Sequence, residues 1–179
     1  MSFRFQLLRT IALLALCQQL WAAPVEEVAL PRQIPQVFSP ASRIRVLNVW
    51  ATWCAPCVAE MSDLRAIDQR FSSAEVEIVG VSLDDVIPGS RTETRARVDQ
   101  FLRERGVRFR NVYYTGKMNA LEDFFRFEGE IPITIVFDRK GRELVRHQGA
   151  IEKKAMIRQL EGLLKRKDAT LKKTAKNPS

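Results

Sequence analysis

The sequence predicts an α/β sandwich with a mixed central sheet flanked by helices, and three observations predict it. Short runs rich in Val, Ile and Leu alternate with stretches whose apolar residues recur every three or four positions, the pattern of strand–helix–strand units. The last two strand-like runs are separated by Asp138-Arg139-Lys140-Gly141, a tight-turn signature that closes a hairpin. A close pair, Cys54 and Cys57, falls where a strand gives way to a helix.

The 179 residues suit one domain with a real core, and the composition, 46% hydrophobic and 28% charged, is that of a folded chain. Residues 1–22 read as a secretory signal peptide. Arg4 and Arg9 give a positive start, Ile11 to Cys17 is apolar, and the small residues Ala22 and Ala23 follow. The apolar run is short for a membrane span. Cleavage after Ala22 is the favoured site, because cleavage one residue later would leave Pro24 first. Leu20, however, stands where a second small residue is usual. Two other readings stay open: an uncleaved anchor, and lipid attachment at Cys17, against which Leu16 stands. Removal of the segment would leave Cys54 and Cys57 as the sole cysteines. Export and one close cysteine pair together point to an oxidising compartment. The expected location is the periplasm, free or held at the inner membrane.

Residues 23–42 contain Pro24, Pro31, Pro35 and Pro40 and read as an extended lead-in. The domain proper is expected over 43–166. Arg45 to Ala51 is a buried strand. Cys57 to Phe71 is a helix with Met61, Leu64, Ile67 and Phe71 on one face. Glu75 to Leu83 is a second strand, almost continuously apolar, as in a central parallel position. A turn over Asp84 to Ser90 leads to a helix from about Thr92, with Gly106 as its stop. Val107 to Tyr114 is strand-like, and Met118 to Phe127 is a short helix. The hairpin pairs Ile133 to Phe137 with Glu143 to His147. Ile151 to Arg166 is a closing helix. Residues 167–179 read as a basic flexible tail. The net charge of +8 sits mainly at the two ends, and the body is nearly neutral. No nucleic-acid motif accompanies the basic tail, so no nucleic-acid partner is expected.

The chemistry lies in Trp53-Cys54-Ala55-Pro56-Cys57. A thiol is a nucleophile only as thiolate. The first turn of a helix offers unpaired backbone N–H groups and the positive end of the dipole, which stabilise a negative sulfur. Cys54 is placed to receive that help, and Cys57, one turn on, can reach back to close a disulfide. Pro56 suits the first helical turn. A zinc site would need further ligands, and haem attachment would need His where Val58 stands. A static disulfide would not need the strand–turn–helix setting. His147, the single histidine, reads as structural, and Asp84 and Asp85 read as turn and helix-capping residues.

The segment from Asn48 to Glu60 (NVWATWCAPCVAE) closely resembles the periplasmic or membrane-anchored thioredoxin-like proteins of the TlpA/ResA type. Val79-Gly80-Val81-Ser82-Leu83-Asp84-Asp85 and Ile131-Pro132-Ile133-Thr134 resemble family segments in the same order. The resemblance spans about residues 43–165. It implies a thioredoxin fold with a helix–strand insertion around Arg91 to Tyr114. It implies exchange with protein disulfides, often in cytochrome c maturation or copper oxidase assembly. It further implies that Ile131–Pro132 is a cis peptide against the two cysteines, presenting the Ile131 backbone to a partner peptide. A trans proline opening an edge strand is the other reading. By resemblance, Glu60 tunes the thiols or carries a proton for Cys57; an exposed helix acid is the alternative. Trp53 shields the disulfide and offers a docking surface.

Three departures matter. Asn48 stands where ordinary thioredoxin has a buried acid, which shifts that role toward Glu60. Ser62 stands where many relatives have proline. Ala55-Pro56 lacks the histidine that strong oxidants of the DsbA type carry between their cysteines, which favours a reducing role. No dissociable cofactor is expected, since the cysteines are the redox centre. The expected partners are protein thiols and disulfides, with electrons from a membrane thiol transporter of the DsbD/CcdA kind. A disulfide oxidase or isomerase, and a copper-handling protein using the thiols as ligands, remain as rivals.

Overall fold

The computed structural model describes residues 25–176, with side chains described through Arg166. The expected signal segment, residues 1–22, lies outside the described residues. The strands are β1 (Glu26–Val28), β2 (Ile44–Trp50), β3 (Val76–Ser82), β4 (Arg110–Tyr114), β5 (Ile133–Asp138) and β6 (Glu143–Gln148). The helices are α1 (Ile34–Val37), α2 (Ala55–Arg70), α3 (Arg91–Glu104), α4 (Met118–Phe125) and α5 (Lys153–Lys176).

One sheet holds all six strands in the order β1-β4-β3-β2-β5-β6. The first four are mutually parallel, and β5 and β6 run antiparallel to their neighbours. This is the mixed sheet the sequence predicts. The α3–β4 unit is the expected insertion: it places an extra parallel strand beside β3 before the chain returns through α4 to β5.

The central strand β2 explains why the site is rigid. It pairs with β3 on one side and β5 on the other, and six of its seven residues are buried. A strand covered on both faces is apolar throughout, and Asn48 is the one exception in its buried stretch. Trp50, fully buried at the strand's end, donates its indole N–H to Asn111 Oδ1 at 3.0 Å. That bond passes over Gly80, where a Cβ would lie 2.0 Å from the Asn111 oxygen. Only glycine admits it.

Helix α2 begins two residues before the expected Cys57, and its inner face is Cys57, Glu60, Met61, Leu64 and Ile67. Helix α3 stops at Glu104, and Gly106 leaves it with φ +60. The hairpin turn closes as predicted, with Gly141 N–H on Asp138 O and the buried Asp138 carboxylate accepting from Lys140 N–H and Arg142 N–H.

Two segments differ from expectation. The lead-in is not simply extended. It adds β1 alongside β4, then a 3-10 turn at Pro31–Gln33 and helix α1, and buries Val25, Val28, Ile34, Val37 and Phe38. Pro31 and Pro35 sit in the first turns of these two helices, where a missing N–H costs nothing. At the other end, α5 continues past Arg166 to Lys176, through residues expected to form a flexible tail. Lys and Ala make up most of that stretch, and no Gly or Pro interrupts it before Pro178.

Candidate active site

The site forms where β2 ends. Leu83 N–H bonds Trp50 O at 2.9 Å, so β2 and β3 finish level with each other. The chain then turns through Ala51 to Cys54, closed by Cys54 N–H on Ala51 O at 3.2 Å. Cys54 is the N-cap of α2, with extended backbone (φ −89, ψ 102). Its Sγ accepts the Cys57 N–H at 3.3 Å, and its carbonyl accepts Val58 N–H at 3.0 Å. The sulfur therefore occupies the position that a capping oxygen usually fills. Cys54 and Cys57 form a disulfide, their α-carbons 5.2 Å apart. Cys57 is fully enclosed, while Cys54 keeps 6% of its surface exposed.

The β5 lead-in covers this pair. Ile131–Pro132 is a cis peptide, and Ile131 O lies 3.6 Å from Cys54 Sγ. The cis geometry and the contact with Cys54 match the expectation. Trp53 projects from the turn at 49% exposure, so much of its indole surface is open to a partner.

Glu60 is not an exposed helix acid: only 3% of it is accessible. Its Oε1 accepts from Asn48 Nδ2 at 2.8 Å, and its Oε2 accepts from Ile151 N–H at 2.8 Å. Asn48 Nδ2 also donates to Thr134 Oγ1 at 3.1 Å, while Asn48 Oδ1 is buried without a partner. Burial pushes the Glu60 carboxyl above its ordinary value. The Ile151 N–H, the Asn48 amide and the charge of His147 pull it part of the way back, and Asp63 adds a small push upward. His147 is half-buried, its Nε2 3.0 Å from Ala150 O, in keeping with a structural role.

Asp84 corrects the sequence reading. It lies in the expected turn, as the first residue of a 3-10 turn over Asp84–Val86, but it does not cap α3, whose N-cap is Ser90. Asp84 is 3% exposed and turned toward the cysteine loop. Its carboxylate accepts from Thr52 N–H at 3.2 Å, from the Thr52 hydroxyl, and from Ser82 Oγ at 2.7 Å. Its neighbour Asp85 faces the insertion and pairs with Arg91 through two bonds of 2.9 and 3.1 Å. The structure thus gathers Cys54, Cys57, Ile131 and Pro132, with Glu60 buried one turn beyond Cys57. Sequence reasoning missed the roles of Thr52, Ser82 and Thr134. The only hint was that each is a single polar residue set between apolar neighbours.

Residues 37–173 match the AhpC/TSA family. The chain belongs to that family. It is 35% identical over 121 residues to the thiol-disulfide oxidoreductase ResA of Oceanobacillus iheyensis, a match covering 66% of this chain and 54% of ResA. It is 29% identical over 123 residues to the thiol:disulfide interchange protein HelX of Rhodobacter capsulatus, covering 68% of this chain and 61% of HelX. The match thus spans little more than half the length of ResA and about three-fifths of HelX. Among solved structures, the thioredoxin-related protein from Neisseria meningitidis serogroup B is similar with a TM-score of 0.57 at 26% identity, covering 70% of this chain and 87% of that one. The thioredoxin fold and the likeness to ResA-type proteins inferred from the Asn48–Glu60 segment both hold.

Proposed function

We propose that this protein is an exported thiol–disulfide oxidoreductase that reduces protein disulfides through Cys54 and Cys57. The observation that carries this reading is the Cys54 sulfur. It caps a helix, is the more accessible of the pair, and lies against the Ile131 carbonyl beside a cis proline. A partner peptide can pair with the Ile131 backbone as an added strand and bring its own disulfide to Cys54.

The cycle begins from the dithiol. Cys54 thiolate attacks one sulfur of the partner disulfide; a mixed disulfide forms and the partner's other sulfur leaves as thiolate. Cys57 then loses its proton and attacks Cys54 Sγ. The Cys54–Cys57 disulfide forms, and the second partner thiolate is released. The partner gains two electrons, which the cysteine pair supplies, so no dissociable cofactor is needed. Glu60, one turn beyond Cys57 with its carboxyl raised by burial, is suited to accept that proton. Trp53 gives the partner an apolar docking surface. A membrane thiol transporter would restore the dithiol.

Export rests on Arg4, Arg9, the apolar Ile11–Cys17 stretch and Ala22-Ala23. Among the described residues no helix is long and apolar enough to cross a membrane. Cytochrome c maturation or copper oxidase assembly is the client setting that the ResA resemblance favours.

The test uses reduced protein and a protein disulfide such as insulin. Cys57→Ser is expected to accumulate a mixed disulfide that non-reducing electrophoresis detects, and Cys54→Ser to accumulate none. A trap in Cys54→Ser and not in Cys57→Ser would reverse the roles. Equilibration with thiol buffers fixes the direction. A potential near the thioredoxin end, about −270 mV, supports a reductase, and one near about −120 mV makes this an oxidant.

A further inference from the structure

The helix N-terminus favours the Cys54 thiolate, and a thiolate that is too stable makes a strong oxidant. Something in a reductase on this fold has to oppose that pull. We propose that Asp84 does so: it is a positioning residue that fixes the turn before Cys54 and holds a buried negative charge behind it, keeping the cysteine pair reducing. This inference rests on the oxidoreductase reading above.

Four observations converge on Asp84. It is 3% exposed, so water screens its charge weakly. All three groups it accepts from, Thr52 N–H, the Thr52 hydroxyl and the Ser82 hydroxyl, are neutral donors, so no cation cancels the charge. It opens the 3-10 turn just past β3, and the residue before it, Leu83, is tied by its N–H to Trp50 O. It grips Thr52, two residues before Cys54, a span of at most about 7.6 Å between α-carbons.

The same contact takes a donor away from the sulfur. Thr52 N–H points to Asp84, and Cys54 N–H points to Ala51 O. Cys54 Sγ is left with one backbone donor, the Cys57 N–H. Other charges near the pair do not supply the same opposition. Glu60 lies one turn beyond Cys57, where burial disfavours its charged form, and Asp85 is matched by Arg91.

The experiment measures the Cys54 thiol pKa and the dithiol–disulfide equilibrium with glutathione. The proteins are wild type, Asp84→Asn, Thr52→Val and Ser82→Ala. Asp84→Asn replaces the carboxyl with a neutral amide, and the other two strip a donor while leaving the carboxyl in place. The expected result for Asp84→Asn is a thiol pKa lower by about half a unit or more. Its equilibrium should move about threefold or more toward the dithiol, ~15 mV for a two-electron couple. Thr52→Val and Ser82→Ala should leave both quantities unchanged or move them the opposite way. An Asp84→Asn protein with wild-type pKa and potential would overturn the proposal. So would the same downward shift in all three variants, which would mark a merely structural turn. Should Asp84→Asn fail to fold, a downward pKa shift in Thr52→Val or Ser82→Ala overturns the proposal, and an unchanged or raised pKa supports it. These readouts need no partner protein, so a failure here is distinct from an inability of the wild type to reduce protein disulfides.

Discussion

Two buried carboxylates flank the cysteine pair, and they are held in different ways. Asp84, behind Cys54, accepts from a backbone N–H and two hydroxyls that come from adjoining strand ends. Glu60, behind Cys57, accepts from one backbone N–H and one amide, and the amide's own oxygen is left without a partner. Both are 3% exposed. Burial wins at Glu60 and lifts its carboxyl. In the proposed cycle the difference separates two tasks: Asp84 fastens the turn before Cys54, and Glu60, its carboxyl raised by burial, takes up a proton beside Cys57.

The largest expected effect breaks or upholds this contrast directly. Asp84→Asn keeps the shape but turns one acceptor into a donor facing hydroxyl and N–H groups. It should cost about 1–3 kcal/mol in urea denaturation at pH 7. Glu60→Gln also loses an acceptor, but Glu60 accepts from two groups where Asp84 accepts from three, and burial already disfavours its charge, so its cost at pH 7 should stay under ~1 kcal/mol. Equal losses in the two variants would erase the distinction between fastening and titrating.

A second test reads the sign of the Glu60 shift. The folded chain holds the Glu60 proton more tightly than the unfolded chain, whose carboxyl has the ordinary value of 4.5. Between that value and the raised one, the native state carries the extra proton, so stability falls as pH rises. The wild-type contribution is full below pH 4.5 and is lost as pH climbs through the folded value. The stability of wild type minus that of Glu60→Gln should therefore decline across that window and level off above it. A difference that rises with pH would mean Glu60 is held as a carboxylate.

These two clusters were unequally visible in the sequence. The strand, the Cys54–Cys57 pair and the helix follow one another along the chain, so local pattern and thiol chemistry were enough to find them. Pro132 lies far along the chain and was placed only by resemblance to a family segment. Glu60 was singled out only by resemblance, and its burial depends on Asn48, Thr134 and Ile151, which the fold brings together from distant parts of the chain. Asp84 was misread because Asp-Asp in a turn looks like a cap, and its true partner Thr52 is 32 residues away. The lead-in was misread for another reason. Its prolines suggested an extended strap, and the pairing of β1 depends on β4, which lies some eighty residues further on.

The smallest expected effect isolates Asn48 Oδ1, one of two buried side-chain polar atoms left unpaired among the described residues. Asn48 lends Glu60 a hydrogen bond that holds its carboxyl down, and lends Thr134 another. Asn48→Leu removes these bonds but also removes the orphan oxygen and fills the space with an apolar group of similar volume. The gains and losses nearly offset, so stability at pH 4 should change by no more than ~1 kcal/mol. The titration should not stay still. Without the amide donor, and with a drier surround, the Glu60 carboxyl has less to favour its charge, so its value should move further up. The pH window in which wild type and Glu60→Gln diverge should widen upward when both carry Asn48→Leu. A window that narrows would show that Asn48 opposes the Glu60 charge, and the proton would then have to leave Cys57 by another route.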